Sequence, residues 1–150
     1  MRILFLFIIG IQLVGCASHV PRNQKNACQL LRERYDWQPA VAQAEKHWGI
    51  PAHTILAIIY HESKFRPDAV PPRRRPASSF GFLERRISSA YGYAQALDGT
   101  WEEYKRRTGN LTAKRYYFED SVDFIGWYLN RSVRQLKISR RNAYHLYLAY

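Results

Sequence analysis

The stretch "PAHTILAIIYHESKF", Pro51 to Phe65, decides how the chain is read. Pro51 suits the first turn of a helix. Pro67 disfavours helix at Arg66, so the run must end near Phe65. Between them Ile55, Ile58, Ile59, Glu62 and Phe65 recur at spacings of three and four, which is one helix face. A carboxylate therefore shares a face with isoleucines. Such a group in a last turn either snorkels to water or is kept for chemistry. Burial raises a carboxyl pKa, and the partial negative charge of a helix C-terminus pushes the same way. An acid held protonated near neutral pH is what a general acid in glycoside cleavage must be. Periodicity alone leaves both readings of Glu62 open.

Outward from this run the pattern stays helical, with no period-two strand of useful length. Towards the N-terminus, "ACQLLRERY" predicts a short helix. "PAVAQAEKHWG" opens on Pro39 and closes on Gly49, a C-terminal stop. Towards the C-terminus, "VPPRRRPASSFGFLERRISS" reads as a long basic loop. In "TWEEYKRRTG", Thr100 and Glu103 have capping-box spacing and Gly109 ends the helix. "FEDSVDFIGWYLNRSVRQLKI" places Phe118, Val122, Ile125, Leu129, Val133 and Leu136 on one stripe. "SRRNAYHLYLAY" begins with Ser139 as a candidate N-cap. The sum is one small all-α domain, residues 27–150, with one long basic loop. Its four tryptophans and eleven tyrosines suit a core and equally a sugar-binding groove. His53 and His61 read as exposed. Glu102, Glu103, Asp120 and Asp123 read as solvated partners of nearby Lys and Arg.

The first fifteen residues stand apart. Met1-Arg2 is a basic start, "ILFLFIIGIQLV" is apolar, and Leu13-Val14-Gly15-Cys16 follows. The run is an export signal in outline and too short for a comfortable membrane span. It resembles a lipoprotein signal, which implies cleavage before Cys16 and lipid on its sulfur. Ala17, rather than an aspartate, follows the cysteine. In a host with two membranes the resemblance then implies the outer membrane, facing the periplasm. Residues 16–26 read as a tether. Removing the leader takes one cation, Arg2, from a net charge of +11 and leaves +10. That charge calls for an anionic neighbour. An exported lipoprotein rarely meets nucleic acid, so no nucleic-acid partner is expected. Anionic lipid headgroups and wall polymers are at hand, with Arg73-Arg74-Arg75 and Arg85-Arg86 as a candidate lipid contact. With Cys16 acylated, Cys28 has no intrachain partner and reads as a small, partly buried apolar residue. No metal-ligand spacing occurs, and no metal or other cofactor is expected.

Glu62-Ser63-x-Phe65-x-Pro67-x-Ala69 resembles the "ES-x-F-x-P-x-A" signature of the soluble-lytic-transglycosylase family, the goose-lysozyme-like murein enzymes. Ala90-Tyr91-Gly92-Tyr93-Ala94-Gln95 resembles its second signature, "A-x-G-L-M-Q". Gly92 and Gln95 match, while Tyr93 and Ala94 stand where Leu and Met are commoner. Thr100-Trp101 falls where the family often carries a threonine and an aromatic. Ala149-Tyr150 resembles the start of a third signature, "A-Y-N-x-G". These cover roughly residues 45 to 150 in family order. The resemblance implies a lysozyme-like helical fold acting on peptidoglycan strands between N-acetylmuramic acid and N-acetylglucosamine. Glu62 is implied as the single acid/base, with a 1,6-anhydro sugar as product. Ser63 and Gln95 are implied to hydrogen-bond the substrate or its N-acetyl group, and Tyr150 to line the cleft near Glu62.

The chain departs from the family pattern in two places. A proline- and arginine-rich insertion, Val70 to Ser89, separates the first two signatures. The chain also ends at Tyr150, where the family continues with asparagine, glycine and another helix. That leaves open an incomplete cleft wall or a C-terminal part lying beyond Tyr150. Two other functions stay open beside the enzyme: a wall- or membrane-binding lipoprotein without turnover, and a hydrolytic lysozyme on the same fold. The hydrolase needs a base on the opposite sugar face, and no second acid is identified by spacing.

Overall fold

A computed structural model describes residues 20–72 and 88–150. The leader, Cys16, the start of the tether, and the arginines of the Arg73–Arg75 and Arg85–Arg86 runs lie outside the described residues. Among those described, the domain is all-α: α1 (Ala27–Glu33), α2 (Gln38–Trp48), α3 (Ala52–Ser63), α4 (Asp98–Thr108), α5 (Phe118–Leu136) and α6 (Ala143–Leu148). A single 3-10 turn, Tyr35–Trp37, joins α1 to α2. Among the described residues the one strand-like feature is an isolated antiparallel bridge between Tyr91 and Ala96. No described helix is long and apolar enough to cross a membrane.

Helix α5 is the central element. It lies most extensively along α2 and also packs on α3, α4 and α6. Its stripe faces the core as the spacing predicts: Phe118, Val122, Ile125, Leu129 and Val133 are all buried. Leu136, the last residue of the helix, is not; it is 60% exposed. Gly126 interrupts α5 for a steric reason. A Cβ built there lies 2.4 Å from Cδ1 and 3.2 Å from Cβ of Trp48. Replacing glycine by alanine inside a helix normally gains about 1 kcal/mol. Here the sign reverses, since the contact reaches the root of the Trp48 side chain and ring rotation cannot relieve it. Gly126→Ala is expected to cost roughly 1–3 kcal/mol, read as a lower urea midpoint with a changed near-UV spectrum.

Trp48 is held there by Asp123. Its indole Nε1 donates to Asp123 Oδ1 at 2.7 Å, and the Tyr104 hydroxyl donates to Oδ2 at 2.7 Å. Asp123 thus fastens α2 and α4 to α5 and is no solvated surface acid. Burial, with Asp123 beside it, pushes the Tyr104 phenol far above its ordinary range. Asp120 also has structural partners: it accepts from Asn110 Nδ2 at 3.2 Å and from the Lys114 amide at 2.7 Å. Glu102 and Glu103 do pair with cations, Glu102 with Lys105 and Glu103 with Arg107 and Arg131.

The tryptophans resolve towards the core. Trp37, Trp101 and Trp127 are buried. Trp37 stacks on Phe118 with centroids 3.7 Å apart and on Phe65 at 5.8 Å. Three further expectations are corrected. The Thr100–Glu103 capping box does not form, because α4 begins earlier, at Asp98, whose amide donates to Ser89 Oγ at 3.1 Å. Asn142, not Ser139, caps α6, its side chain accepting from the His145 amide at 3.0 Å. Cys28 is exposed rather than partly buried, on the outer side of the short α1.

Candidate active site

Helix α3 delivers its acid as its spacing predicts. Ile55, Ile58, Ile59 and Phe65 are buried, and Glu62 is half-buried. Desolvation raises the Glu62 carboxyl above its ordinary value of 4.5, and the neighbouring His61 opposes the rise only in part. His61 and His53 are exposed. The helix ends two residues before the expected Phe65, at Ser63. Lys64 and Phe65 both take the left-handed conformation, with φ of 54° and 58°. Neither is glycine, so each costs roughly 1–2 kcal/mol. The reversal turns Phe65 inward under Trp37, and burying an aromatic ring offsets that cost.

Ser63 sits inside this reversal. It is 4% exposed, and its hydroxyl donates to the Ile59 carbonyl at 3.1 Å. The structure places it against its own helix, so the side chain expected to meet substrate fastens the helix end carrying Glu62.

The three sequence signatures meet through main-chain carbonyls. Ala69, last residue of the first, is 3% exposed. Its carbonyl accepts from the Gly92 amide at 2.9 Å and from Gln95 Nε2 at 2.8 Å. Gln95 Nε2 also donates to the Gly92 carbonyl at 2.9 Å. The side-chain amide of Gln95 is thereby engaged, once within the turn and once on Ala69, which leaves its Oε1 as the group it can offer a ligand. Gln95 itself has φ 48°, a third left-handed non-glycine residue within the signature segments. Strain collected in this way marks functional sites more often than ordinary turns. Tyr93, where the family more often carries leucine, is buried edge-on against Trp37 and Phe118.

The second and third signatures meet at Ala94 and Tyr150. The Tyr150 hydroxyl donates to the Ala94 carbonyl at 2.6 Å. Burial pushes the phenol well above its ordinary range, and the nearby charge of Glu62 adds to the shift. Glu62, Gln95 and Tyr150 are therefore brought into one neighbourhood, Glu62 electrostatically beside Tyr150 and Tyr150 bonded into the Gln95 turn. Beside the Gln95 turn lies a depression of about 100 Å³, lined by Gln95, Leu97, Thr100, Phe124, Tyr128 and Tyr150 among others; Glu62 is not in its lining. Tyr128 and Phe124 were not singled out from sequence. Both lie on α5, and only the tertiary packing sets them beside the depression, Phe124 itself remaining buried.

Among the described residues, no group of three or more His, Cys, Asp or Glu side chains is arranged to hold a metal ion. The chemistry on offer is one raised carboxyl, one amide acceptor and an aromatic wall. No curated protein and no solved structure matches the chain. The family model described as "Transglycosylase SLT domain" matches residues 4–150, nearly the whole chain and all of its helices. The all-α, lysozyme-like chain belongs to the transglycosylase SLT domain family.

Proposed function

We propose that the protein is a peptidoglycan lytic transglycosylase. It cleaves the bond between N-acetylmuramic acid and N-acetylglucosamine without water and leaves a 1,6-anhydro-muramyl end. The observation that carries this reading is Glu62: a half-buried carboxyl held towards its protonated form, with, among the described residues, no other carboxylate shifting it. Protonated Glu62 gives its proton to the bridging oxygen, and the bond from that oxygen to the muramic anomeric carbon breaks. The muramic N-acetyl group shields the cation. The Glu62 carboxylate then takes the proton of the carbon-6 hydroxyl as that oxygen bonds to the anomeric carbon. Glu62 ends protonated, so one acid serves both halves of the reaction, unlike the usual pair of carboxylates. Gln95 Oε1 accepts from an acetamido N–H, and Tyr128 and Tyr150 form the wall behind the sugar. Ser63 acts by holding the helix end. The N-terminal expectations complete the reading: signal 1–15, lipid on Cys16, an outer-membrane position facing the periplasm, and the Arg73–Arg75 loop towards anionic lipid.

The reading is tested by digesting purified peptidoglycan in ¹⁸O-labelled water. A lytic transglycosylase leaves the new muramyl ends unlabelled. Labelled reducing ends identify a hydrolytic lysozyme, and binding without products identifies a wall-binding protein. The pH dependence follows from the same carboxyl. Glu62 must begin protonated, so cleavage is expected to fall as pH rises through its raised value. The alkaline limb of the rate profile then lies above 4.5, the ordinary carboxyl value. A limb at or below that value contradicts the assignment of Glu62 as the acid.

A further inference from the structure

The structure assigns to Arg115 the positioning of the Gln95 turn, a role that rests on the cleavage reading above for its catalytic consequence. Residues 91–96 form a small closed unit, with the Tyr91–Ala96 bridge across it and the Gln95 amide bonded to Gly92 within it. Such a unit is stiff, but it still has to be fixed to the body of the domain. Its attachment to the α3 side is the Ala69 carbonyl. The Tyr150 hydroxyl holds the Ala94 carbonyl at 2.6 Å, and the largest set of remaining polar links comes from one residue. Arg115 Nη1 donates to the carbonyls of Ser89 and Ala96, both at 2.9 Å, and so clasps the chain just before and at the end of the turn. Nη2 pairs with Asp98 Oδ1 at 2.8 Å, which joins the turn to the start of α4. The guanidinium lies 5.5 Å from the centre of the Tyr91 ring.

The main chain of Arg115 works in the same direction. Its carbonyl accepts from the Tyr93 amide at 3.2 Å and from the Ser121 hydroxyl at 3.0 Å, which ties it to α5. One residue in the connection between α4 and α5 thus carries five hydrogen-bonded or ionic links, four of them to residues 89–98. A lysine cannot reproduce this, because only the planar fork reaches two carbonyls and a carboxylate together. The substrate does not touch Arg115 in this scheme. Arg115 acts through Gln95, by holding Oε1 at the depth that an acetamido group needs. Misplacement of a positioned group by about 1 Å can cost on the order of 10²-fold in rate.

The experiment uses the full chain in mild detergent and two readouts. Amide hydrogen exchange at Gly92, Tyr93 and Gln95 is measured for wild type, Arg115→Lys and Arg115→Ala. Glycan cleavage is measured for the same proteins with and without Gln95→Ala. Exchange at the three amides is expected to rise roughly tenfold in Arg115→Ala, while α3 stays protected. Turnover is expected to fall roughly 10- to 100-fold, with Arg115→Lys between. In the Gln95→Ala background the same change should cost little more, since coupled positions are not additive. Unchanged exchange in both Arg115 variants overturns the positioning role. Looser exchange with an equal activity loss in both backgrounds overturns action through Gln95. A wild type that cleaves nothing while exchange still responds supports the latch and contradicts the cleavage reading. If Arg115→Ala does not fold, Arg115→Lys carries the same comparison.

Discussion

Replacing Glu62 with glutamine is expected to lower glycan cleavage by about a thousandfold or more and to leave the fold intact. Glutamine keeps the shape of the side chain and removes the proton it transfers. The stability of this variant follows from the same shift. The folded protein holds the Glu62 proton more tightly than the unfolded chain does, because burial disfavours the charged form. The stability linked to that proton is fully present below the ordinary carboxyl value and is lost as pH rises through the raised one. At neutral pH the wild type therefore carries a cost that Glu62→Gln lacks. The variant should be at least as stable as wild type at neutral pH, and its advantage should vanish below 4.5. Paired urea titrations at the two pH values check this. An inactive variant that is less stable at neutral pH would mean that Glu62 is a structural partner rather than a carboxyl retained for chemistry.

Gly92→Ala should unfold or severely loosen the domain, with a loss of roughly 3–5 kcal/mol. Two effects add. Gly92 has φ 76°, which an L side chain adopts only with strain. A Cβ there would also lie 2.1 Å from the carbonyl oxygen of Arg115 and 2.6 Å from its carbonyl carbon. Those are backbone atoms and cannot swing aside. Relief requires the turn to move away from Arg115, which breaks the Tyr93 and Gly92 amide bonds that fix it. Cleavage should be lost with stability, unlike in Glu62→Gln. Denaturation midpoints and circular dichroism of the two variants, side by side, separate a chemical defect from a structural one. A Gly92→Ala protein with wild-type stability would contradict the close approach to Arg115.

Much of this architecture is legible in the sequence because it depends on local rules. Pro39 and Gly49 bracket α2, and Gly109 closes α4 with φ 76°. The period of three and four put Glu62 on the buried face of α3. The expectations that failed depended on partners distant in sequence. Thr100 and Glu103 have capping spacing, but the first amide of α4 finds Ser89, nine residues upstream. Asp123 looks like a surface acid in its own segment, and only folding brings Trp48 and Tyr104 to it. The end of α3 is not legible because its left-handed turn uses Lys64 and Phe65, with no glycine to announce it.

The site was legible in the same uneven way. The residue types Glu62, Gln95 and Tyr150 come from matching short signatures, and the family match over residues 4–150 agrees with that resemblance. How the signatures meet could not be read, because their junctions are the carbonyls of Ala69 and Ala94, which any residue type would supply. Ser63 shows the reverse problem. A serine next to the acid suggests a substrate contact, yet its i−4 bond to Ile59 is a backbone option open to any helical serine.

In the proposed reaction Glu62 is the one acid and base of a water-free cleavage. Mass spectrometry of purified peptidoglycan, digested by wild type and by Glu62→Gln in parallel, tests it most directly. The wild type is expected to give 1,6-anhydro-muramyl products and the variant none. Reducing-end products from the wild type, or anhydro products surviving in Glu62→Gln, would contradict it.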